Sequence, residues 1–330
     1  MNYRTVGKSK IRVSCISLGT WAFAGGLNWG AQDRNDSIAT LRSAFDAGIN
    51  FFDTAEVYGN GLAEQLIGEA LHDKRDKIII ATKVSPEHSE PSALRSSCER
   101  SLRNLRTDYI DLYQLHYPNP SIPFDETFST LEALKQEGKI IEYGVSNFGC
   151  NSLKEIVKKQ YSPVSNQLAY SLLFRAIEYE ILPLCMQYSI SVLCFSPLMQ
   201  GLLTGKFSSP DAVPPGRART RHFSSTRPHT RHGESGAETE TFSAIANITR
   251  VAEQLNLRPA VLSIAWLLAQ PAVASVIIGA RNPSQLKENV TAAEVSLSSD
   301  IIEELNRLTD PLKEKLGRNA DMWQSNSRVV

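Results

Sequence analysis

Four side chains that can exchange protons follow the ends of three short apolar segments. They are an acid, a phenol, an amine and an imidazole: Asp53, Tyr58, Lys83 and His116. The carboxyl ends of parallel strands meet at one rim of an α/β fold, so three consecutive strands would bring these groups together. Such a set can give and take a proton at a reacting oxygen. The pattern predicts acid–base catalysis at this rim.

Each of these residues, taken alone, has a more ordinary explanation. A strand-terminal Asp often caps a helix, a loop Tyr often packs, a Lys is often solvated, and a His can lie in a core. Their occurrence together at consecutive strand ends favours catalysis. In that interpretation Tyr58 donates the proton and the charge of Lys83 eases its release, while Asp53 holds Lys83 and His116 orients the substrate oxygen.

The elements that must position these groups alternate between strand-like and helical patterns. Strands are predicted at Cys15–Leu18, Ile49–Phe52, Ile78–Ala81, Ile110–Leu115, Ile140–Val145, Val164–Gln167, Ile190–Phe195 and Val276–Ile278. Helices are predicted from a cap at Asn35 or Asp36 to Gly48, then at Leu62–Leu71, Ser92–Leu105, Phe124–Glu137, Ser152–Lys159, Glu178–Tyr188, Phe242–Leu255 and Ala260–Ala269. Strands joined by helices run parallel, so the alternation predicts an α/β fold, a (β/α)8 TIM barrel.

The ends of the chain add elements to this barrel. A β-hairpin at residues 2–14, turning at Gly7-Lys8-Ser9, is expected to close the end away from the chemistry. Two extra C-terminal helices are predicted at Ser284–Ala293 and Asp300–Leu308, followed by a tail at about 310–330. We expect residues 1–330 to form a single domain.

Composition argues against several other classes. Lys+Arg and Asp+Glu both number 35, so net charge does not favour nucleic acid or an anionic membrane surface. No apolar run has the length of a membrane span. The five cysteines are scattered without a CxxC pair, which indicates reduced thiols, no metal and a cytoplasmic location.

A long segment after the seventh strand, at about 207–241, has no helix or strand pattern. It is rich in Pro and Gly and carries five arginines and three histidines: Arg217, Arg219, Arg221, Arg227, Arg231, His222, His229 and His232. A structureless segment of this length is usually a lid or binding loop, or is disordered. Two interpretations stay open: a loop that folds over an anionic ligand such as cofactor phosphates, or a solvated basic loop.

The chain resembles the aldo-keto reductases over almost its whole length, and in particular the relatives of potassium-channel β subunits within that family. The motifs are F-D-T-A-x-x-Y-G ending at Gly59, the Lys83 and His116 strand ends, G-V-S-N-F from Gly144, and G-A-R-x-x-x-Q-x-x-E-N from Gly279. The resemblance implies NADP(H)-dependent carbonyl reduction by direct hydride transfer without a metal. It also implies the four roles given above for Asp53, Tyr58, Lys83 and His116.

The same resemblance places the cofactor along the rim. Ser146, Asn147 and Gln167 offer a hydroxyl and amides to the nicotinamide carboxamide, and Phe195 offers a face for its ring, where many members have tyrosine. The other predicted cofactor contacts are Gly19, Thr20, Trp21, Asp53, Ser196, Leu198, Gln200, Gly201, Gly279, Arg281, Gln285 and Asn289, with Gly205 and Lys206 extending them. Trp21, Tyr58 and His116 are the predicted substrate contacts, joined by the tail with Trp323.

The cofactor type depends on the adenosine end. Arg281 can pair with a 2′-phosphate or stack on adenine. Several members carry arginine where this chain has Gln285, so NADP(H) is predicted and NAD(H) stays possible. A Rossmann fold is disfavoured because no strand–G-x-G-x-x-G–helix occurs.

Two other functions remain alternatives. One is a cofactor-binding regulatory subunit with little turnover, and the other is a glycosidase, which needs a second carboxylate across the pocket. The preferred function is reduction of an aldehyde or ketone to an alcohol, or the reverse oxidation, on a small-molecule carbonyl substrate.

Overall fold

In the computed structural model a short antiparallel hairpin precedes a closed barrel of eight parallel strands. The structure describes residues 1–330, apart from the side chains of residues 27 and 28. The hairpin strands are β1 (Tyr3–Thr5) and β2 (Arg12–Ser14). The barrel strands are β3 (Ile16–Gly19), β4 (Phe51–Asp53), β5 (Ile79–Val84), β6 (Ile110–Leu115), β7 (Ile140–Ser146), β8 (Ser165–Ala169), β9 (Ser191–Phe195) and β10 (Val273–Gly279).

Neighbouring strands pair in chain order around the barrel, and β10 closes it on β3 with Gly279 opposite Gly19. The helices are α1 (Gly26–Trp29), α2 (Arg34–Asp46), α3 (Leu62–Leu71), α4 (Pro91–Leu105), α5 (Phe124–Gln136), α6 (Cys150–Lys158), α7 (Ile181–Tyr188), α8 (Glu238–Gln254), α9 (Pro259–Leu268), α10 (Pro283–Val290) and α11 (Ser299–Leu316). The predicted TIM barrel is confirmed.

Strand alternation sends side chains into two separate cores. Phe51 and Leu112 belong to a small cluster inside the barrel, whereas Phe52 and Tyr113, their chain neighbours, belong to the large cluster under the helices. Val6, Ile11 and Val13 of the hairpin segment join the inner cluster. The hairpin therefore closes the end at which the strands begin, and the opposite end is left for chemistry.

Several predicted boundaries were wrong. Asp33, not Asn35 or Asp36, caps α2, because its side chain accepts from the N–H of Asp36 at 2.9 Å. Strand β10 starts at Val273, three residues early, with a register irregularity that the pattern did not reveal. The helix predicted from Glu178 starts at Ile181, after a 3-10 turn.

The last helix was also predicted too short. It runs through Pro311 to Leu316, so the predicted tail at about 310 begins inside it. Leu305, Leu312 and Leu316 are buried on one face, and that apolar stripe holds the helix together where proline removes one N–H donor. The assignment of all 330 residues to a single domain stays a prediction.

Candidate active site

The predicted proton-transfer set meets at the carboxyl end of the barrel. Lys83 Nζ donates to Asp53 Oδ1 at 2.7 Å and to the Thr54 carbonyl at 2.8 Å, and lies 3.5 Å from Tyr58 Oη. The rings of Tyr58 and His116 meet edge to face with centroids 6.0 Å apart. Asp53 is the last residue of β4 and Lys83 is the last but one of β5, whereas Tyr58 lies on the loop before α3.

Burial sets the protonation of this group. It raises the pKa of Tyr58, and the charge of Asp53 adds to that, while the ammonium of Lys83 acts in the lowering direction without prevailing. Burial acts against the charge of Lys83, but Asp53 and Tyr58 outweigh it, so the pKa of Lys83 is raised. Burial, reinforced by Lys83, lowers the pKa of His116 to about 3. At neutral pH the set holds a phenol, an ammonium and a neutral imidazole.

A chain of hydrogen bonds ties the next strand ends to this set. Gln167 Nε2 donates to Asp53 Oδ2 at 2.7 Å, so the carboxylate is held from two sides. Asn147 Nδ2 donates to the His116 carbonyl and to Ser146 Oγ, both at 3.0 Å. Ser146 Oγ in turn donates to the Gln167 carbonyl at 3.0 Å. The predicted carboxamide-binding residues thus form one network with the proton-transfer set.

The set opens into a cavity of about 770 Å³. Every predicted site residue lines it except Lys83, Thr20 and Gly205. Lys83 lies beneath Tyr58, and Thr20 is buried behind the wall and donates to the Asp53 carbonyl at 3.0 Å. The lining includes Gly19, Trp21, Asp53, Tyr58, His116, Ser146, Asn147, Gln167, Phe195, Ser196, Leu198, Gln200, Gly201, Gly279, Arg281, Gln285 and Asn289.

Backbone in the left-handed region concentrates on this rim. Asn147, Ser196 and Gln200 have φ of 60°, 53° and 55°, and Gly201 follows at 96°. Non-glycine residues adopt this conformation only at a cost, and such positions cluster at ligand sites. These values make the turn after β9 a candidate binding loop.

The far end of the cavity is organised by the start of α10. Asn282 caps the helix through the N–H of Gln285 at 3.0 Å, and Gln285 Oε1 accepts from the N–H of Arg281 at 3.0 Å. The guanidinium of Arg281 donates to Gln32 Oε1 at 2.9 Å and to the Ala31 carbonyl. The loop before α2 thus positions Arg281, a contact that the sequence motifs did not indicate.

The arginines of the 207–241 segment divide into two groups. Arg221 is buried, donates to Glu234 at 2.8 Å and to the Leu316 carbonyl at 2.7 Å, and Arg227 donates to Glu238 at 2.6 Å. These two hold the segment against α8 and the end of α11. Arg217, Arg219 and Arg231 line the cavity instead, with His229. The segment is neither wholly a solvated loop nor wholly a ligand-facing one.

Aromatic residues form the walls on either side of Tyr58. Trp21 lies 6.3 Å from the Tyr58 ring, and Trp29 packs edge-on against Trp21 at 5.3 Å. On the other side Tyr117 stacks on His116 at 5.7 Å. Trp323 from the tail also lines the cavity, as predicted. The sequence did not predict three further lining residues, because nothing in their type or spacing indicates the cavity and only the fold brings them there: Trp29, Tyr117 and Arg328.

The part of the chain that the structure describes contains no group of His, Cys, Asp and Glu side chains suited to a metal ion. Within the same residues, no helix is both long and apolar enough to cross a membrane. The five cysteines are unpaired.

A (β/α)8 barrel with its polar residues gathered in one open mouth defines the class of α/β-barrel proteins that bind ligands at the carboxyl ends of their strands. The Aldo/keto reductase family model matches residues 15–310, and the chain belongs to that family.

Proteins of several organisms are similar in sequence to this chain. The chain is 32% identical to the aldo-keto reductase YhdN of Bacillus subtilis, over 94% of each chain. It is 31% identical to a putative voltage-gated potassium channel subunit beta of Schizosaccharomyces pombe, covering 93% of this chain and 92% of that one. It is 33% identical to an NADH-specific methylglyoxal reductase of Escherichia coli, covering 89% and 94%.

Among solved structures, an aldo-keto reductase of Klebsiella pneumoniae in complex with NADPH superposes with a TM-score of 0.73 at 30% identity, covering 94% of this chain and 96% of that one. The predicted family and its link to channel-β-subunit relatives are confirmed, and the chain is an oxidoreductase-type member of that family.

Proposed function

We propose that this protein reduces an aldehyde or ketone to an alcohol with NADP(H), or runs the reverse oxidation, with Tyr58 as the general acid or base. One observation carries the proposal: Lys83 bridges Asp53 and Tyr58 Oη, at 2.7 and 3.5 Å, beneath a large cavity. A phenol alone is a weak acid at neutral pH, and this contact gives its conjugate base an adjacent cation.

The cavity has the groups that a nicotinamide dinucleotide requires. Phe195 presents an aromatic face, and Ser146, Asn147 and Gln167 present a hydroxyl and amides near it. The buried Nε2 of Gln200 has no hydrogen-bond partner within the described chain and belongs to a residue of the cavity wall. A buried amide of that kind is expected to be satisfied by a ligand. When bound, the cofactor supplies or accepts the hydride.

Protonation assigns the roles of the remaining groups. The phenol of Tyr58 is protonated at neutral pH and can donate from Oη to a carbonyl oxygen. His116 is neutral, with a pKa of about 3, so it is not an acid at that pH and acts as a hydrogen-bond donor through one ring N–H. After the transfer, the ammonium of Lys83 stabilises the phenolate. Asp53, held by Gln167, keeps the ammonium in place.

Replacing the phenol tests this assignment. Tyr58→Phe keeps the ring and removes the hydroxyl, so we expect turnover to fall by roughly a hundred- to ten-thousandfold. Fluorescence titration should show nearly unchanged NADPH affinity. Turnover close to that of the wild type would remove Tyr58 from the mechanism.

The preference for NADP(H) is a finer part of the proposal. Lys206, Arg217 and Arg281 line the cavity, and a guanidinium or ammonium suits a 2′-phosphate. In titrations followed by fluorescence quenching, NADPH should bind more tightly than NADH, and Arg281→Gln should narrow the difference. Equal affinities in the wild type would contradict the assignment of a 2′-phosphate site.

The similarity to a putative channel β subunit supports a second candidate, a cofactor-binding regulatory subunit. Loss of NADPH absorbance with a panel of aldehydes separates the two, since a regulatory subunit would show little turnover with any of them. The glycosidase alternative has little support. Among described residues, the cavity is lined by only two carboxylates, Asp53 and Glu288, and Glu288 is paired with Arg258 at 2.5 Å.

A further inference from the structure

The cavity concentrates positive charge, although the chain as a whole has no net charge. Lys+Arg and Asp+Glu are equal in the whole sequence, at 35 each. The lining, however, contains Lys206 and six arginines against the two carboxylates Asp53 and Glu288. The six arginines are Arg217, Arg219, Arg231, Arg258, Arg281 and Arg328. Seven cations against two acids indicate that the site receives more than one anionic group.

Two of the lining arginines already have acidic partners. Arg258 pairs with Glu288, and Arg328 pairs with Asp321 at 2.7 Å. Within the described chain, no carboxylate lies within ion-pair distance of the other five: Lys206, Arg217, Arg219, Arg231 and Arg281. Bringing unpaired cations together costs electrostatic energy, so their cluster favours binding of an anion.

The five unpaired cations form two groups. Lys206, Arg217 and Arg281 form the first group, since all three line the cavity and Lys206 and Arg217 both face Gly201. Burial lowers the pKa of Lys206, and the charges of Arg217 and Arg281 add to that. A Cβ at Gly201 would meet Lys206 Nζ at 2.9 Å and Arg217 Nη1 at 3.8 Å. This first group lies where the proposed cofactor's phosphates belong. Arg219 and Arg231 form the second group, since both line the cavity on the 207–241 segment. Burial lowers the pKa of Arg219, and the charge of Arg231 adds to that.

The second group is connected to the substrate side of the cavity. The guanidinium of Arg219 lies over the Trp323 ring, 4.5 Å from its centroid. The N–H of Trp323 donates to Asp321 Oδ1 at 2.9 Å, and Asp321 also holds Arg328. Arg328 lies over the Tyr117 ring at 4.3 Å, and Tyr117 stacks on His116. One continuous wall thus runs from the proton-transfer set to Arg219.

From this wall we infer that the preferred substrate is an anionic carbonyl compound, with a carboxylate bound by Arg219 and Arg231 and the carbonyl at Tyr58 and His116. The inference rests on the proposed carbonyl reduction and extends it to a substrate class. Arg219 has one donor committed, its Nε to the Gly216 carbonyl at 3.0 Å, so its terminal nitrogens are available to a carboxylate.

Matched aldehydes test the substrate class. The wild type should have a higher kcat/KM for para-carboxybenzaldehyde than for its neutral ester methyl para-formylbenzoate, and for succinic semialdehyde than for butanal, by about tenfold or more. Arg219→Gln and Arg231→Gln should each reduce that preference by about tenfold. The control is Arg103→Gln, an exposed arginine of α4 outside the cavity, which should leave the preference unchanged.

Two outcomes would overturn the inference. The first is a wild type without preference for the charged aldehyde of either pair. The second is that Arg219→Gln and Arg231→Gln raise the KM for NADPH but keep the aldehyde preference, because the arginines would then bind the cofactor and not the substrate.

A binding measurement separates this inference from the proposed function. If no aldehyde is turned over, the proposed function fails, but calorimetry with benzoate and benzamide on the enzyme with NADP+ still tests the anion site. Tighter binding of benzoate, lost in Arg219→Gln, supports the site. Equal binding of the two ligands to the wild type refutes it.

Discussion

Two largely buried carboxylate–cation pairs involve consecutive strands of this barrel, and their carboxylates face opposite sides of the sheet. Asp53 and Lys83, on β4 and β5, point into the mouth, with side chains 4% and 0% exposed. Asp111 on β6 points outward to Arg75, with 9% and 14% exposure. Neighbouring strand residues alternate between the two faces, so one residue step separates an interior site from the outer layer.

The cations use their donors differently. Arg75 donates to Asp111, to the carbonyls of Ile78 and Tyr109, and to the hydroxyl of Thr107, so its bonds join the residue before β5 to the start of β6 and the turn before it. Lys83 uses two donors on Asp53 and Thr54, and its nitrogen also faces Tyr58. The first pair stabilises a fold, whereas the second keeps a charge available beside a phenol. Burial of an ion pair therefore does not by itself identify an active site.

The largest expected effect comes from breaking the interior pair. Lys83→Met should lower kcat by roughly a hundred- to ten-thousandfold, because the phenolate loses its adjacent cation. Steady-state kinetics on protein shown to be folded by circular dichroism measures this, with NADPH binding as the check on cavity integrity. A kcat within about threefold of that of the wild type would show that Asp53 and Lys83 stabilise the fold, as Asp111 and Arg75 do, without serving Tyr58.

Breaking the outer pair should affect stability instead. Arg75→Met leaves Asp111 as an uncompensated buried charge, which costs roughly 3–5 kcal/mol of unfolding free energy. The kcat of the remaining folded enzyme should be nearly unchanged. Chemical unfolding curves measure the loss, and exposed Arg103→Met provides the matched control. A large fall in kcat without a loss of stability would show that the two pairs are not separable in this way.

The comparison extends to two histidines, the half-buried His116 in the mouth and the fully buried His222 within the 207–241 segment. Burial lowers the pKa of His116 to about 3 and that of His222 to about 4. In the unfolded chain each histidine binds a proton once the pH falls below its ordinary pKa of ~6.5. In the native state each histidine stays neutral until the pH approaches its lowered pKa. Stability is therefore lost as pH falls from about 7 to 5, by roughly 2 kcal/mol per histidine.

Unfolding midpoints at these two pH values test this sign. In His222→Gln the acid-induced loss should be about 2 kcal/mol smaller than in the wild type, whatever the variant's absolute stability. Exposed His72→Gln is the matched control and should retain the full loss. A loss of the same size in His222→Gln would show that His222 is not buried in its neutral form.

The smallest expected effect is on the pH dependence of the reaction. His116 stays neutral and Tyr58 stays protonated across neutral pH, so kcat/KM for reduction should show no break between about pH 5 and 8. A break in this range that disappears in His116→Gln would indicate an ionising imidazole and contradict the assigned roles.

Local patterns were sufficient for much of the fold. Helix α3 and strand β6 have the predicted bounds, Leu62–Leu71 and Ile110–Leu115. Periodicity and strand length are properties of neighbouring residues, so a sequence displays them directly. Placement of Asp53, Lys83 and His116 at strand ends followed from the same information, and parallel pairing then required these ends to share one rim.

Boundaries and partners that depend on distant residues were less predictable. The helix α11 continues past Pro311 because Leu312 and Leu316 bury against the core, which proline alone does not reveal. The contact of Arg281 with Gln32 joins residues 249 positions apart. The separation of Arg221 and Arg227 from Arg219 and Arg231 likewise depends on which carboxylates the folded chain brings near.

The sequence by itself determined the barrel alternation, the strand-end positions of the four residues proposed for proton transfer, and the family motifs, because each depends on residue type and spacing. The tertiary structure alone decided that the pKa of Tyr58 is raised despite Lys83, and which arginines keep their charge unpaired in the cavity. Desolvation and Coulomb interactions depend on distances in space, and residues far apart in the chain set those distances only after folding.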